Sequence, residues 1–177
     1  ELPLFLERGR ELGANCSQEI AFALADGHEK LVSLLLAGLT IDQASASLHF
    51  EFGIGSNFFL EISKFRVFRQ LWSKIISAYQ PTHSCSHNAT ITAISSSINK
   101  SLKDPYTNLL RQTTETLSAV MGNVDHLLIR PYDYYSATGS SEFAQRMATN
   151  ISLLLKGESY VKQVIDPAGG SYSVEQL

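Results

Sequence analysis

The sequence predicts an α/β fold built on a parallel sheet, with about four β/α units. Three observations carry that expectation. Short apolar or β-branched runs alternate with longer segments of helical periodicity, four times in succession. Cap and turn residues fall at the joins between them. With 177 residues, 44% of them hydrophobic, the chain is large enough to bury the core such a sheet needs.

Taken in order, Leu2 to Leu6 reads as a short buried strand. Asn15 or Ser17 then caps a helix whose apolar residues, Ile20, Leu24, Leu31, Leu34 and Leu35, recur at helical spacing. Gly27 interrupts it at a cost of about 1 kcal/mol, and Gly38 is placed to end it. Thr40-Ile41-Asp42 opens a short second helix. Leu48 to Phe52 alternates with period two and is a strand. Phe58 to Tyr79 is a long amphipathic helix with a stripe of Phe59, Ile62, Phe65, Phe68, Leu71, Trp72, Ile75 and Ile76. Gln80 to Ser84 is a loop and Ala89 to Ile94 a β-branched strand. Asp104-Pro105 starts the next helix, with Asp as cap and Pro in the first turn; it runs to Met121 and stops at Gly122-Asn123. His126 to Arg130 is a strand. Ser140 or Ser141 caps a helix through Lys156, Val161 to Ile165 is extended, and Asp166 to Gly170 is a turn before a last helix start.

Four such units fit either half of a (β/α)8 barrel or a small doubly wound sheet. A complete barrel needs about 250 residues, so this chain is too short to close one alone. Both ends read as cut inside an element, and half a barrel leaves two open sheet edges. The expectation is therefore a larger parent chain or self-association.

Net charge is -3 and pI about 5.9, and no Lys/Arg run exceeds a pair. Neither favours a nucleic-acid backbone or an anionic membrane surface. No uninterrupted apolar stretch reaches the roughly 18 residues of a membrane span. The first six residues lack the basic start of a signal peptide. Cys16 and Cys85 form no Cys-x-x-Cys pattern and no disulfide framework, which suggests a reducing cytosol and a cytoplasmic location.

The candidate chemistry is sparse. Gly53-Ile54-Gly55 lacks the third glycine of the dinucleotide fingerprint, and no acidic residue follows on a second strand. It reads as a strand-to-helix turn that needs positive φ or a close backbone approach; in a barrel this turn lies on the catalytic rim. His49 and Glu51 share a strand face, where they could do acid/base work or form a satisfied polar pair. His83 and His87 have metal-ligand spacing, but in a loop and without an evident third ligand. His28 sits on a solvated helix face. Gly139-Ser140-Ser141 is a cap and not a nucleophile elbow, since no strand leads into it. Asp133 and Glu142 flank that loop without an obvious partner. Tyr132, Tyr134 and Tyr135 follow a strand and either line a pocket or pack under a loop.

Six stretches in fixed order, "QEIAFALADGHEKL", "LLAGLTID", "FGIGSNFFLEISKFRVFRQLW", "DPYTNLLRQTTETLSAVMGN", "RMATNISLLLKGES" and "IDPAGGSYSVEQL", together resemble the methylmalonyl-CoA mutase family. The resemblance runs from about Glu11 to Leu177 and falls in the second half of the family's substrate-binding barrel. It implies that residues 1 to 177 are a single segment, the C-terminal half of a TIM barrel, without a cobalamin-binding domain. It also implies an isomerase of propionate metabolism that uses adenosylcobalamin to interconvert methylmalonyl-CoA and succinyl-CoA by radical rearrangement. The departures from the family fall at the site. Its active barrels carry a Tyr-His pair where Glu7 and Arg8 stand. They carry an Arg-Leu-Ser-Phe strand where Ser47 to Phe50 stand. A substrate-contacting Arg-x-His-x-Gln-Thr-Ser-Gly strand is here Thr90 to Ser97. Ser and Thr cannot replace the bidentate clamp of an Arg or the titratable donor of a His.

The chain thus resembles the family's small, non-catalytic subunit, which supports a catalytic large subunit in a heterodimer; the acyl-CoA and the adenosylcobalamin are then bound outside this segment. The base-off cobalamin motif Asp-x-His-x-x-Gly is absent, because Asp26-Gly27-His28 lacks the following glycine. No catalytic residue, cofactor ligand or metal ligand is expected. Glu7, Arg8, His49, Glu51, Gly53, Gly55, Thr90 and Thr92 are the pocket-lining candidates. The competing reading is a related acyl-CoA mutase whose pocket is rebuilt from Arg8, His49 and Glu51.

Overall fold

The computed structural model describes residues 2–5 and 7–177, with side chains from Gly9 onward. Strand β1 (Leu2–Phe5) leads into a short helix, α1 (Glu7–Glu11), and then the long α2 (Cys16–Leu36). Helix α3 (Ile41–Ser47) runs directly into β2 (Leu48–Ile54), followed by α4 (Phe58–Ala78). Then come β3 (Thr90–Ser95), α5 (Pro105–Met121), β4 (His126–Leu128), α6 (Glu142–Gly157) and a final turn of helix, α7 (Tyr172–Glu175).

The caps follow the chemistry of the sequence. Asn15 closes a capping box with Gln18 at the start of α2, and Thr40 does the same with Gln43 at α3. Asn57 and Ser141 accept amides at α4 and α6. Asp104 stands at the expected position before Pro105, but its carboxylate accepts from the Thr107 hydroxyl and not from a backbone amide.

The four strands are parallel and lie in chain order, β1-β2-β3-β4. Leu4 pairs with Phe50, Phe50 with Ile91, and Ala93 with Leu127. The order shows no reversal of the kind that creates the switch point of a doubly wound sheet. One face of the sheet carries the core. Phe50, Phe52, Ile54, Ile91 and Ala93 pack with Ala23 and Leu31 of α2, with Phe65, Phe68 and Trp72 of α4, and with Ala119 of α5. The Phe50 ring meets Phe68 at 4.7 Å and Trp72 at 4.8 Å, both edge to face. This contact explains Gly27: a Cβ there would lie 2.8 Å from the Phe50 ring and 3.0 Å from Trp72, so the glycine lets α2 approach the sheet.

Four expectations change. β2 extends through Ile54, so Gly53 lies inside the ladder, opposite Ile94, and not in a turn. β4 stops at Leu128 because the Arg130 amide goes to the Ser95 hydroxyl at 2.8 Å. Val161–Gln163 form a 3-10 turn where an extended run was expected; the Gln163 amide bonds the Tyr160 carbonyl at 2.9 Å. Phe59 drops out of the apolar stripe, being 49% exposed, while Glu61 and Lys64 are buried. The last segment returns to α4: Arg66 grips both oxygens of Asp166 at 2.6 Å and Glu175 at 3.0 Å, while Ala168 and Val174 pack on Ile62.

Candidate functional site

The carboxyl ends of the strands are the place to look for chemistry on a parallel sheet. At the end of β2, Gly53 and Gly55 form a notch for the Arg10 side chain. A Cβ on Gly53 would lie 2.8 Å from the Arg10 Cβ, and one on Gly55 would coincide with its guanidinium. Neither glycine has positive φ, so close approach is the reason for them and not backbone freedom.

Arg10 Nη1 donates to Glu19 at 3.2 Å and Nη2 to Glu61. Lys64 Nζ contacts Glu61 at 2.6 Å, Glu19 at 3.1 Å and the Gly53 carbonyl at 2.6 Å. Glu19, Glu61 and Lys64 are essentially inaccessible to water. Two cations and two carboxylates therefore close a neutral ring that ties α1, α2, β2 and α4 together. Burial pushes the Glu19 carboxyl up, opposed by Lys64 and Arg10. Burial of Arg10 works against its charge, but Glu61 and Glu19 outweigh it and hold the guanidinium more firmly protonated. The Cys16 thiol, 3.5 Å from Glu61, is also pushed up by burial and by that carboxylate.

Cys16, Glu19 and Glu61 bring ligand atoms within 4.8 Å of one another. Arg10 and Lys64 already hold both carboxylates, so a divalent ion there would have to displace them. The cluster is a lock between α1, α2, β2 and α4. A second tie lies alongside, where Glu11 accepts from the amide of Ser97 at 2.7 Å and from its hydroxyl.

The face of the sheet opposite the core holds the other candidates. His49 lies there in register with Thr90, and Glu51 with Thr92. The partner of His49 is Thr92 and not Glu51: Nε2 stands 2.6 Å from the Thr92 hydroxyl. Its ring stacks on His126 at 5.8 Å. His49 Nδ1 is buried without a partner among the described residues. The side chains of Glu7 and Arg8 lie outside the described residues, although their backbone forms the first turn of α1.

The remaining histidines separate. Ser84–His87 is a 3-10 turn, not open loop. The backbone amide of His83 is held by Asp42 at 3.2 Å, while His87 Nδ1 faces Ser77 and Ser73 of α4. His28 bonds the Tyr79 hydroxyl at 2.8 Å. Asp133 does have a partner, the Ser141 amide at 2.9 Å. Sequence reading missed the Arg10–Glu19–Glu61–Lys64 ring. Its signal was Glu61 and Lys64 beside Phe65 on the face of α4 that turns to the sheet.

The family model described as methylmalonyl-CoA mutase matches residues 7–177. The chain belongs to the methylmalonyl-CoA mutase family. It is 41% identical over 169 residues to the methylmalonyl-CoA mutase small subunit of Porphyromonas gingivalis, covering 94% of this chain and 27% of that protein. It is 38% identical over 168 residues to methylmalonyl-CoA mutase of Rhizobium meliloti, covering 95% and 24%. Human mitochondrial methylmalonyl-CoA mutase is 37% identical over 169 residues, covering 95% and 22%. The chain thus spans about a quarter of the length of the curated relatives it matches. No helix among the described residues is long and apolar enough to cross a membrane.

Proposed function

We propose that this chain is the second half of a TIM barrel in the small subunit of an adenosylcobalamin-dependent methylmalonyl-CoA mutase, and that it supports the catalytic large subunit without turning over substrate. Strand order without reversal, and helices gathered on one face, support the half-barrel. The missing units would then cover both sheet edges and turn the face of His49, Thr92 and His126 toward the barrel axis.

One observation carries the non-catalytic reading. Thr90, Thr92 and Ile94 pair with His49, Glu51 and Gly53 on the face away from the core, while Ile91 and Ala93 pack into it. By the resemblance, these three are where a catalytic barrel places Arg, His and Gln toward its substrate. Here they are two hydroxyls and an alkyl chain. None can form a bidentate clamp on a carboxylate or phosphate, and none titrates near neutrality. Nor is the place open to a replacement, since Thr92 is engaged by His49.

The residues present do not fit cobalamin ligation. Gly27 of the Asp26-Gly27-His28 run packs under Phe50 and Trp72, and the His28 ring is bonded to Tyr79 on the outer face. The cofactor and the acyl-CoA would be held by the partner chain and by domains outside this segment. The test is to co-express the intact protein with a catalytic large subunit. Co-purification as a heterodimer, and turnover that survives His49→Ala, are the expected results. Turnover abolished by His49→Ala would instead establish the rebuilt pocket of Arg8, His49 and Glu51.

A further inference from the structure

We draw no further inference here: the strongest candidate, the exposed apolar patch at the start of α5, where Tyr106 and Leu110 stand out to solvent and Tyr106 meets Phe143 of α6 through the Tyr132 ring, carries nothing because nothing in the structure shows what covers it.

Discussion

The two faces of one sheet follow different rules. Toward the helices, β2 and β3 present Phe50, Phe52, Ile54, Ile91 and Ala93 in a closed aromatic and aliphatic core. On the other face the same strands present His49, Glu51, Thr90 and Thr92, joined among the described residues by the His49–Thr92 hydrogen bond, with a ring stack of His49 on His126. Strand alternation makes the two faces independent in sequence. A family can therefore preserve the packing on one face and alter the chemistry on the other without disturbing the ladder between them. A mutase-family scaffold and the proposed silent axis can coexist in one chain for that reason.

The comparison breaks most readily on the packed face. Phe50→Ala should destabilise the intact protein by about 3–5 kcal/mol in urea denaturation, the usual cost of emptying an aromatic site in a close-packed core. A loss under about 1 kcal/mol would mean that the core is not closed. Lys64→Met should cost about as much, because it leaves Glu19 and Glu61 buried with Arg10 as their only cation among the described residues. If Lys64→Met proves neutral, the ring at the rim is not the lock described.

On the other face the effects are smaller. His49→Ala removes one hydrogen bond and should cost about 1 kcal/mol. The smallest effect lies at the surface, where Arg66 draws Asp166 below its ordinary value, chiefly through its hydrogen bond. A depressed carboxylate contributes stability above its unfolded value and loses it as pH falls through the folded one. Arg66→Gln should return the Asp166 carboxyl toward its ordinary value in an NMR titration, and should shift acid release of the last segment from α4 to higher pH. An unchanged Asp166 titration in that variant would show that Arg66 is not the clamp.

The sequence made the packed face legible and the rim illegible, for a physical reason. Period-two and period-3.6 patterns record which residues face a core, so β2, α2 and α4 could be placed from their apolar spacing, and α5 from its cap and stop residues. Arg10, Glu19, Glu61 and Lys64 come from α1, α2 and α4, and no local pattern records that they meet. Gly53 and Gly55 were visible as a signal of close approach, but what approaches is the side chain of Arg10, supplied by an earlier element. Val161 to Ile165 was misread for a related reason. β-branched residues suggest an extended run, yet Val164 and Ile165 are exposed and pair with no strand among the described residues that would reward extension.

The most direct test of the central claim is calorimetric titration of methylmalonyl-CoA into the intact protein, without the proposed catalytic subunit. With Thr90, Thr92 and Ile94 on the face proposed to line the axis, no saturable binding is the expected result. Micromolar binding of the thioester would contradict the claim, because it would mean that this face still holds substrate.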